Sequence, residues 1–569
     1  MRPKARARWS LLLSKSVALV GFAALLPLMS CDKADEGDPP PPDSAAPLGP
    51  DEIRLKIAQQ CPGDPSCPEG SDDKLLAGVG FVDITPPIEQ FTDNNKNGVW
   101  DEGEPYTDTN GNRVFDGYWM AGFGNGRLAY DVHDPIWARA IALRQNQTTV
   151  VMVAVDALGL FAEETAEVQK LLDPKLDIDL LLLSATHVHQ NADLVGGWGP
   201  DVATSGINPS YQKLVRQGIA QAVTKAITTL VPTRVSLGSI AVEEGPNHDM
   251  RRYVSDTRDP VVIDNTLHTI QFLDLSNTPP RPVATIVNWA HHPESVGSEN
   301  HSITSDFVYF LRDELEKKGA GPVIYVSGAL GGQIGPGRVE PVDDMGQVVK
   351  QEGFKKAELI GRSVAKFALN AIADPNARVV EGKDAKLRFR TAGVAAQIAN
   401  LVYHFAQMLG IYKRTTCCYD TSRPIGDDNL PSVETRVAYL QLGPASIITN
   451  PGELLPELFL GGYSGDHAGT YQFIDMMQPN YPDVSKAPKP PYLIDLMDGE
   501  RAHRMTFGLT MDFLGYIVPR YNWVLDADKP YFEEAKGDHY EETNSIGPLA
   551  EPQIVGTMRQ LIQAKGEAK

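Results

Sequence analysis

Cysteine is scarce in this chain, with five among 569 residues, and aromatic side chains make up only 8%. So few thiols exclude a small disulfide-built scaffold, and none of them has histidines at zinc-finger spacing. Basic residues are the minority: 52 Lys and Arg stand against 73 Asp and Glu, for a formal net charge of −21. A surface of that sign repels phosphate backbones, so no nucleic acid is expected as a partner; it suits cation binding or an ion-rich exterior. Long apolar runs are missing apart from Leu11 to Leu28, which excludes a multi-span membrane protein. No internal repeat is present. What remains is ordinary globular composition, 42% hydrophobic and 22% charged. The 50 Gly and 43 Pro mark long loops, where chemistry usually resides.

The one apolar run follows Arg2, Lys4, Arg6 and Arg8 and leads into Leu28-Met29-Ser30-Cys31. A basic segment, an apolar run and a small residue describe a secretory signal over residues 1–30. The ending resembles the bacterial lipobox, in which the cysteine is diacylated, so Cys31 is the expected lipidation site and membrane anchor. A single spanning helix is the competing reading. Residues 31–76 are acidic and Pro-rich, including Pro39 to Pro42, and read as a tether. The expected location is the bacterial cell envelope, lipid-anchored at the periplasmic or cell surface side. Within the tether Cys61 and Cys67 (CPGDPSC) are close enough to form a disulfide. Cys417 and Cys418 pair either with each other or with those two.

An acidic stretch, DNNKNGVWDEGE, places Asp93, Asn95, Asn97, Asp101 and Glu104 at positions 1, 3, 5, 9 and 12 of a calcium loop. Gly98 falls at position 6, and the Val99 carbonyl at position 7. A second run carries Asp108, Asn110, Asn112 and Asp116. Hard oxygen donors around a sharp glycine turn suit a structural Ca2+. Pro86, Pro87 and Pro105 argue against the flanking helices of an EF-hand, and the loops resemble those of dockerin or thrombospondin type 3 repeats. A solvated Asn/Asp/Gly turn cluster is the alternative.

The body alternates apolar runs with amphipathic stretches. Strands are expected over Thr149–Val155, Asp179–Ser184, Val283–Asn288, Val323–Val326 and Ala445–Thr449; helices over Tyr211–Leu230, Asp306–Lys318 and Phe354–Ala373. That predicts an α/β fold, a central sheet covered by helices, with a metal site at the carboxyl ends of strands. Three strand exits carry ligand-type residues. LLLLSATHVH ends in His187 and His189, which on an extended chain project to one side. ATIVNWAHHPESVG carries His291 and His292, and ASIITNPGEL carries Glu453. Together they form a candidate divalent-metal site with a position left for water. Asp156, closing a strand, either orients a ligating histidine or caps a helix; Asp306 is a possible cap.

The motif order is similar to that of the neutral/alkaline non-lysosomal ceramidase family. AGVGFVDITPP (Ala77–Pro87), DVHDPIWARAIAL, VAVDALGL, SATHVHQ, NWAHHPESVG, SDFVYFLRDELE, GALGGQIGP, NPGELLPEL, GLTMDFLGYIVP and HYEETNSIGP follow in family order to Pro548. The resemblance implies zinc held by His187, His189, His292, Glu453 and Tyr516, with His291 as the ligand if the alignment slips by one residue. It implies that Tyr540 steadies the tetrahedral intermediate and that Arg251 contacts substrate. The implied activity is zinc-dependent hydrolysis of an amide in a lipid-like or small-molecule substrate. Two features depart from the family. Ala329 stands at the place of the family's attacking serine, with Gln333 and Gly335 also altered, so metal-activated water attacks directly and ceramide itself is a doubtful substrate. The sequence runs only about twenty residues past Pro548, so the family's immunoglobulin-like C-terminal domain is expected to be missing. Expected domains are therefore 1–30, 31–76 and a catalytic domain at 77–569 with a calcium-loop insertion at 91–117. Ester or other carbonyl hydrolysis, or a non-catalytic binding role on the same fold, are the alternatives.

Overall fold

Two sheets pack face to face, and helices cover their outer faces. The computed structural model describes residues 56–564 except 97, 110, 243–251, 257, 335–338 and 464–473. All of these belong to one compact unit, Gly49–Lys569, so Cys31 and the rest of the expected signal lie outside the described residues. No helix among the described residues is long and apolar enough to cross a membrane.

The larger sheet runs in the order Val323–Ser327, Arg281–Trp289, Thr266–Asp274, Val231–Ala241, Leu76–Asp83, Trp137–Gln145, Thr148–Val155, Leu180–Ala185, with Arg378–Val380 beside Val231–Ala241. Only the two outermost pairs are parallel, and both need a helical crossover: Ala162–Gln169 before Leu180–Ala185, and Phe307–Lys317 before Val323–Ser327. Thr148–Val155 and Leu180–Ala185 are buried at every residue, as unbroken apolar runs require. The second sheet, Ile57–Cys61, Leu387–Gln397, Ser432–Leu442, Ala445–Thr449 and Arg504–Phe507, was not legible in the apolar runs except for Ala445–Thr449. Exposed Arg388, Glu434 and Arg436 break the apolar pattern of its long strands, although one face packs on the sheet beneath and much of the other under helix Gly556–Gln563. Ile141, Met152, Ile270 and Ile286 of one sheet pack there against Phe389, Leu440, Ile447 and Phe507 of the other.

Helix Pro209–Thr228 lies close on strand Leu76–Asp83 because Gly78 and Gly80 leave its backbone room: a Cβ on Gly80 would lie 2.1 Å from Ala222 O. Helices Phe307–Lys317 and Phe354–Ala373 cover the other half of that sheet. The expected helix cap at Asp306 is present, its carboxylate accepting from Phe307 N and also from Val296 N. Asp156 caps no helix, and its carboxylate bonds not to a ligating histidine but to Thr186, the residue before His187. Its carboxylate takes both Nη atoms of Arg312 at 2.7 and 2.8 Å, with Trp137 N at 3.0 Å and Thr186 Oγ1 at 3.2 Å.

The edges of the larger sheet meet. Ser327 Oγ, ending one edge strand, donates to Thr186 O, just past the end of the opposite edge strand, at 3.2 Å. Strand exits at the two ends of the strand order therefore share one place in space. Cys61 and Cys67 form a disulfide, and Cys417 pairs with its neighbour Cys418 rather than with them.

Candidate metal centre

The two histidines of the HVH sequence leave the strand by a turn and not as extended chain. His187 has φ 68°, the left-handed region, and its N–H donates to Ala157 O at 2.9 Å. Its Nδ1 donates to Leu158 O at 2.7 Å, which turns Nε2 inward. His189 N is bonded to Pro293 O, and its ring lies against the backbone of Gly122, where any Cβ would come within 2.4 Å of the imidazole. His292 follows strand Arg281–Trp289, and both its N and its Nδ1 are held by Gln333 O at 3.2 and 3.1 Å. Glu453 lies just past strand Ala445–Thr449 of the second sheet, where a separate two-stranded pairing of Glu453–Leu454 with Tyr516–Ile517 sets Glu453 beside Tyr516.

These side chains converge. Ligand atoms of His187, His189 and His292 all lie within 4.8 Å of one another. His187 Nε2 is 3.3 Å from His189 Nε2, and Glu453 Oε2 is 3.3 Å from His187 Nε2 and 3.1 Å from His292 Nε2. Tyr516 Oη lies 3.3 Å from His292 Nε2 and 3.1 Å from Tyr540 Oη. All four ligand candidates are buried, Glu453 to 3% exposure. His291 faces away, its ring on Phe307 at 4.8 Å, so the structure brings His292 into the group and leaves His291 out.

Burial lowers the His292 imidazole, and lowers His189 far below its ordinary value with help from the charges of His187 and His292. Burial alone would raise the Glu453 carboxyl, but His187 and His292 outweigh it and hold the group well below the ordinary range. Burial raises both tyrosines far above theirs, with Glu453 adding to the effect on Tyr516 and Glu541 on Tyr540, so each phenol keeps its proton. Imidazole nitrogens and a carboxylate packed at 3.1 to 3.3 Å need a shared proton or a shared cation between them. This nitrogen and oxygen donor set fits a zinc-type divalent ion.

Arg251 and Gly335 lie outside the described residues, so the expected substrate contact has no structural account. Ala329 is fully buried, and Gln333 Nε2 donates to its carbonyl. Sequence reasoning passed over Gln333 as a brace of His292. It also passed over Glu294, which is buried with its carboxylate 3.6 Å from His189 Nδ1; its position two residues after His292 was the available signal.

The acidic insertion folds as two loops with matching bonds. In the first, Asp93 Oδ2 accepts from Gly98 N at 2.9 Å, and the Glu104 carboxylate accepts from Asn94 N and Asp101 N at 2.7 and 3.0 Å. In the second, Asp108 Oδ2 accepts from Arg113 N at 2.9 Å, and Asn112 Nδ2 donates to Asp116 Oδ2 at 2.8 Å. The carboxylate that accepts from Thr109 N and Asp116 N, both at 2.9 Å, belongs to Glu89, upstream of both loops. Glu89 thus does for the second loop what Glu104 does for the first, a role invisible to a count along the second loop. Stacking of Trp100 on Phe115 ties the loops together. Asn97 and Asn110 lie outside the described residues.

Fold and site together define an α/β protein with a buried cluster of histidines and a carboxylate at converging strand exits. Residues 105–322 match the model of the neutral/alkaline non-lysosomal ceramidase family, N-terminal part, a stretch that holds all three clustered histidines and stops before Glu453. The neutral ceramidase from Pseudomonas aeruginosa has a similar fold, with a TM-score of 0.57 at 15% identity over 86% of this chain and 74% of that one. A ceramidase complexed with C2 gives 0.56 at 14% identity over 86% and 75%. No curated protein matches. The chain is thus similar to the neutral ceramidases in sequence over residues 105–322 and in fold over most of its length.

Proposed function

We propose that this chain is a zinc-dependent, ceramidase-like hydrolase that cleaves an amide bond in a lipid-like or small-molecule substrate. The observation that carries the reading is the cluster of three imidazoles, two of them against the Glu453 carboxylate, with two tyrosine hydroxyls nearby. His187, His189, His292 and Glu453 would hold the ion, with Tyr516 Oη within reach. Such an ion supplies Lewis acidity and acidifies water. Tyr540, protonated and half-buried at 3.1 Å from Tyr516 Oη, is suited to donate a hydrogen bond to the carbonyl oxygen as it gains charge. The methyl of Ala329 cannot attack, so no acyl group passes through that position. Elemental analysis of the purified chain before and after chelation, beside turnover of N-acyl amides and matched esters, tests this. About one transition-metal ion per chain and amide turnover lost with it are expected. Activity on esters alone would remove the amidase assignment, and a metal-free active chain would remove the zinc.

The lipobox-like Leu28-Met29-Ser30-Cys31 supports an envelope lipoprotein anchored through Cys31. Cys31→Ser is expected to move the chain from the membrane fraction to the soluble fraction. Structural calcium at the insertion is supported by the paired loop geometry. Calcium titration should saturate at two ions; Glu89→Gln should remove one and lower the melting temperature, and Glu104→Gln the other. A titration unaffected by Glu89→Gln would leave the second loop a plain turn.

A further inference from the structure

We propose that Arg258 is the positioning residue for Tyr540, an inference that rests on the hydrolase reading above. Tyr540 begins a four-residue helix, Tyr540–Thr543, too short to hold its own orientation. The residues on either side of it, His539, Glu541 and Glu542, are all buried, while Tyr540 alone is half-buried and meets the Tyr516 ring at 5.5 Å. What fixes the flanking residues is a single guanidinium. Arg258 Nη1 donates to Glu541 Oε2 at 2.9 Å and to Glu542 Oε2 at 2.8 Å; Nη2 donates to Glu542 Oε1 at 3.1 Å and to Asn522 O at 2.6 Å. Glu542 Oε1 also accepts from Val524 N at 3.0 Å and lies 3.1 Å from His539 Nδ1. Four of these contacts depend on the planar fork, which a lysine ammonium cannot reproduce.

Arg258 is itself tied to the ligand side of the centre. It follows the short strand Ser255–Asp256, which pairs with Gln333–Ile334, and its own N–H donates to Asp256 Oδ1 at 3.0 Å. Gln333 O is the acceptor that orients His292. One segment therefore braces His292 through main-chain pairing and the Tyr540 helix through its side chain. Nothing in the local sequence around Tyr540 points to Arg258, which is more than 280 residues away.

The test separates positioning from mere stability. Arg258→Lys keeps the charge and loses the fork. The triple variant Arg258→Met, Glu541→Gln, Glu542→Gln removes the charges together, so no carboxylate is stranded, and serves if Arg258→Lys does not fold. In full chain labelled with 3-fluorotyrosine, the fluorine resonance lost in Tyr540→Phe belongs to Tyr540. It should shift or broaden in the Arg258 variants while those of Tyr325 and Tyr439 stay in place; an unmoved Tyr540 resonance in a folded variant overturns the proposal. Turnover of an N-acyl amide should fall about 10- to 100-fold in kcat with KM within about threefold, and Arg258→Lys should cost less than about twofold once Tyr540 is Phe. An equal loss in both backgrounds also overturns it. If the unmodified chain turns over no acyl compound, the hydrolase reading fails, and the fluorine spectrum still decides whether Arg258 holds Tyr540.

Discussion

His292→Ala is expected to empty the metal centre and reduce kcat/KM by roughly 10³-fold or more, since a bound ion contributes several kcal/mol to such chemistry. The substitution removes an imidazole buried to 1% exposure and also strips Glu453 Oε2 of a neighbour at 3.1 Å. His291→Ala is the control. That ring is equally buried but packs on Phe307, so its loss should cost stability and leave the metal in place. Elemental analysis of both variants, with turnover measured beside it, decides the matter. Retention of one ion per chain by His292→Ala would show that His292 is not among the groups that hold it.

Asp156→Ala should lower unfolding free energy by about 3–5 kcal/mol, the usual cost of leaving one member of a buried ion pair alone. Arg312 and Asp156 are both buried, in a two-pronged pairing at 2.7 and 2.8 Å. A denaturation curve measures the loss, and adding Arg312→Met should recover much of it, because the stranded charge is then gone. The pair matters to the site as well as to stability. Asp156 Oδ1 also faces Thr186 Oγ1, the residue before His187, and Ala157 O and Leu158 O are the acceptors that turn His187. Asp156→Ala is therefore expected to weaken metal binding too. If the double variant regains stability and the metal affinity stays low, the carboxylate acts on the turn directly.

The elements that could be read along the chain were strands built as unbroken apolar runs and helices with a clear amphipathic period. Expected strands at Thr149–Val155 and Asp179–Ser184 differ from the observed ones by one residue at each end at most, and helix Phe354–Ala373 matches in full. Strands such as Leu387–Gln397 escaped, because Arg388 and Arg390 interrupt their apolar pattern. The histidine pair was legible for an incomplete reason. Alternation on an extended chain would put His187 and His189 on one side, yet His187 is left-handed and the rings meet through bonds to Leu158 O and through the space beside Gly122. The choice between His291 and His292 is made by Gln333 O and Phe307, neither of them local. Glu89 and Arg258 carry no local signal, since each acts on a segment distant in the chain.

Sequence alone determined the kinds of donor available, the strand exits that carry them, the acidic loops and the absence of a hydroxyl at Ala329, because these are properties of residue type and short-range spacing. Tertiary structure decided which donors meet. A sheet whose opposite edges come together, met by the short strand pair that carries Glu453 and Tyr516, sets groups far apart in the chain within 3.1 to 3.3 Å. Such distances depend on how layers pack, and packing is settled by contacts between segments that no local pattern records.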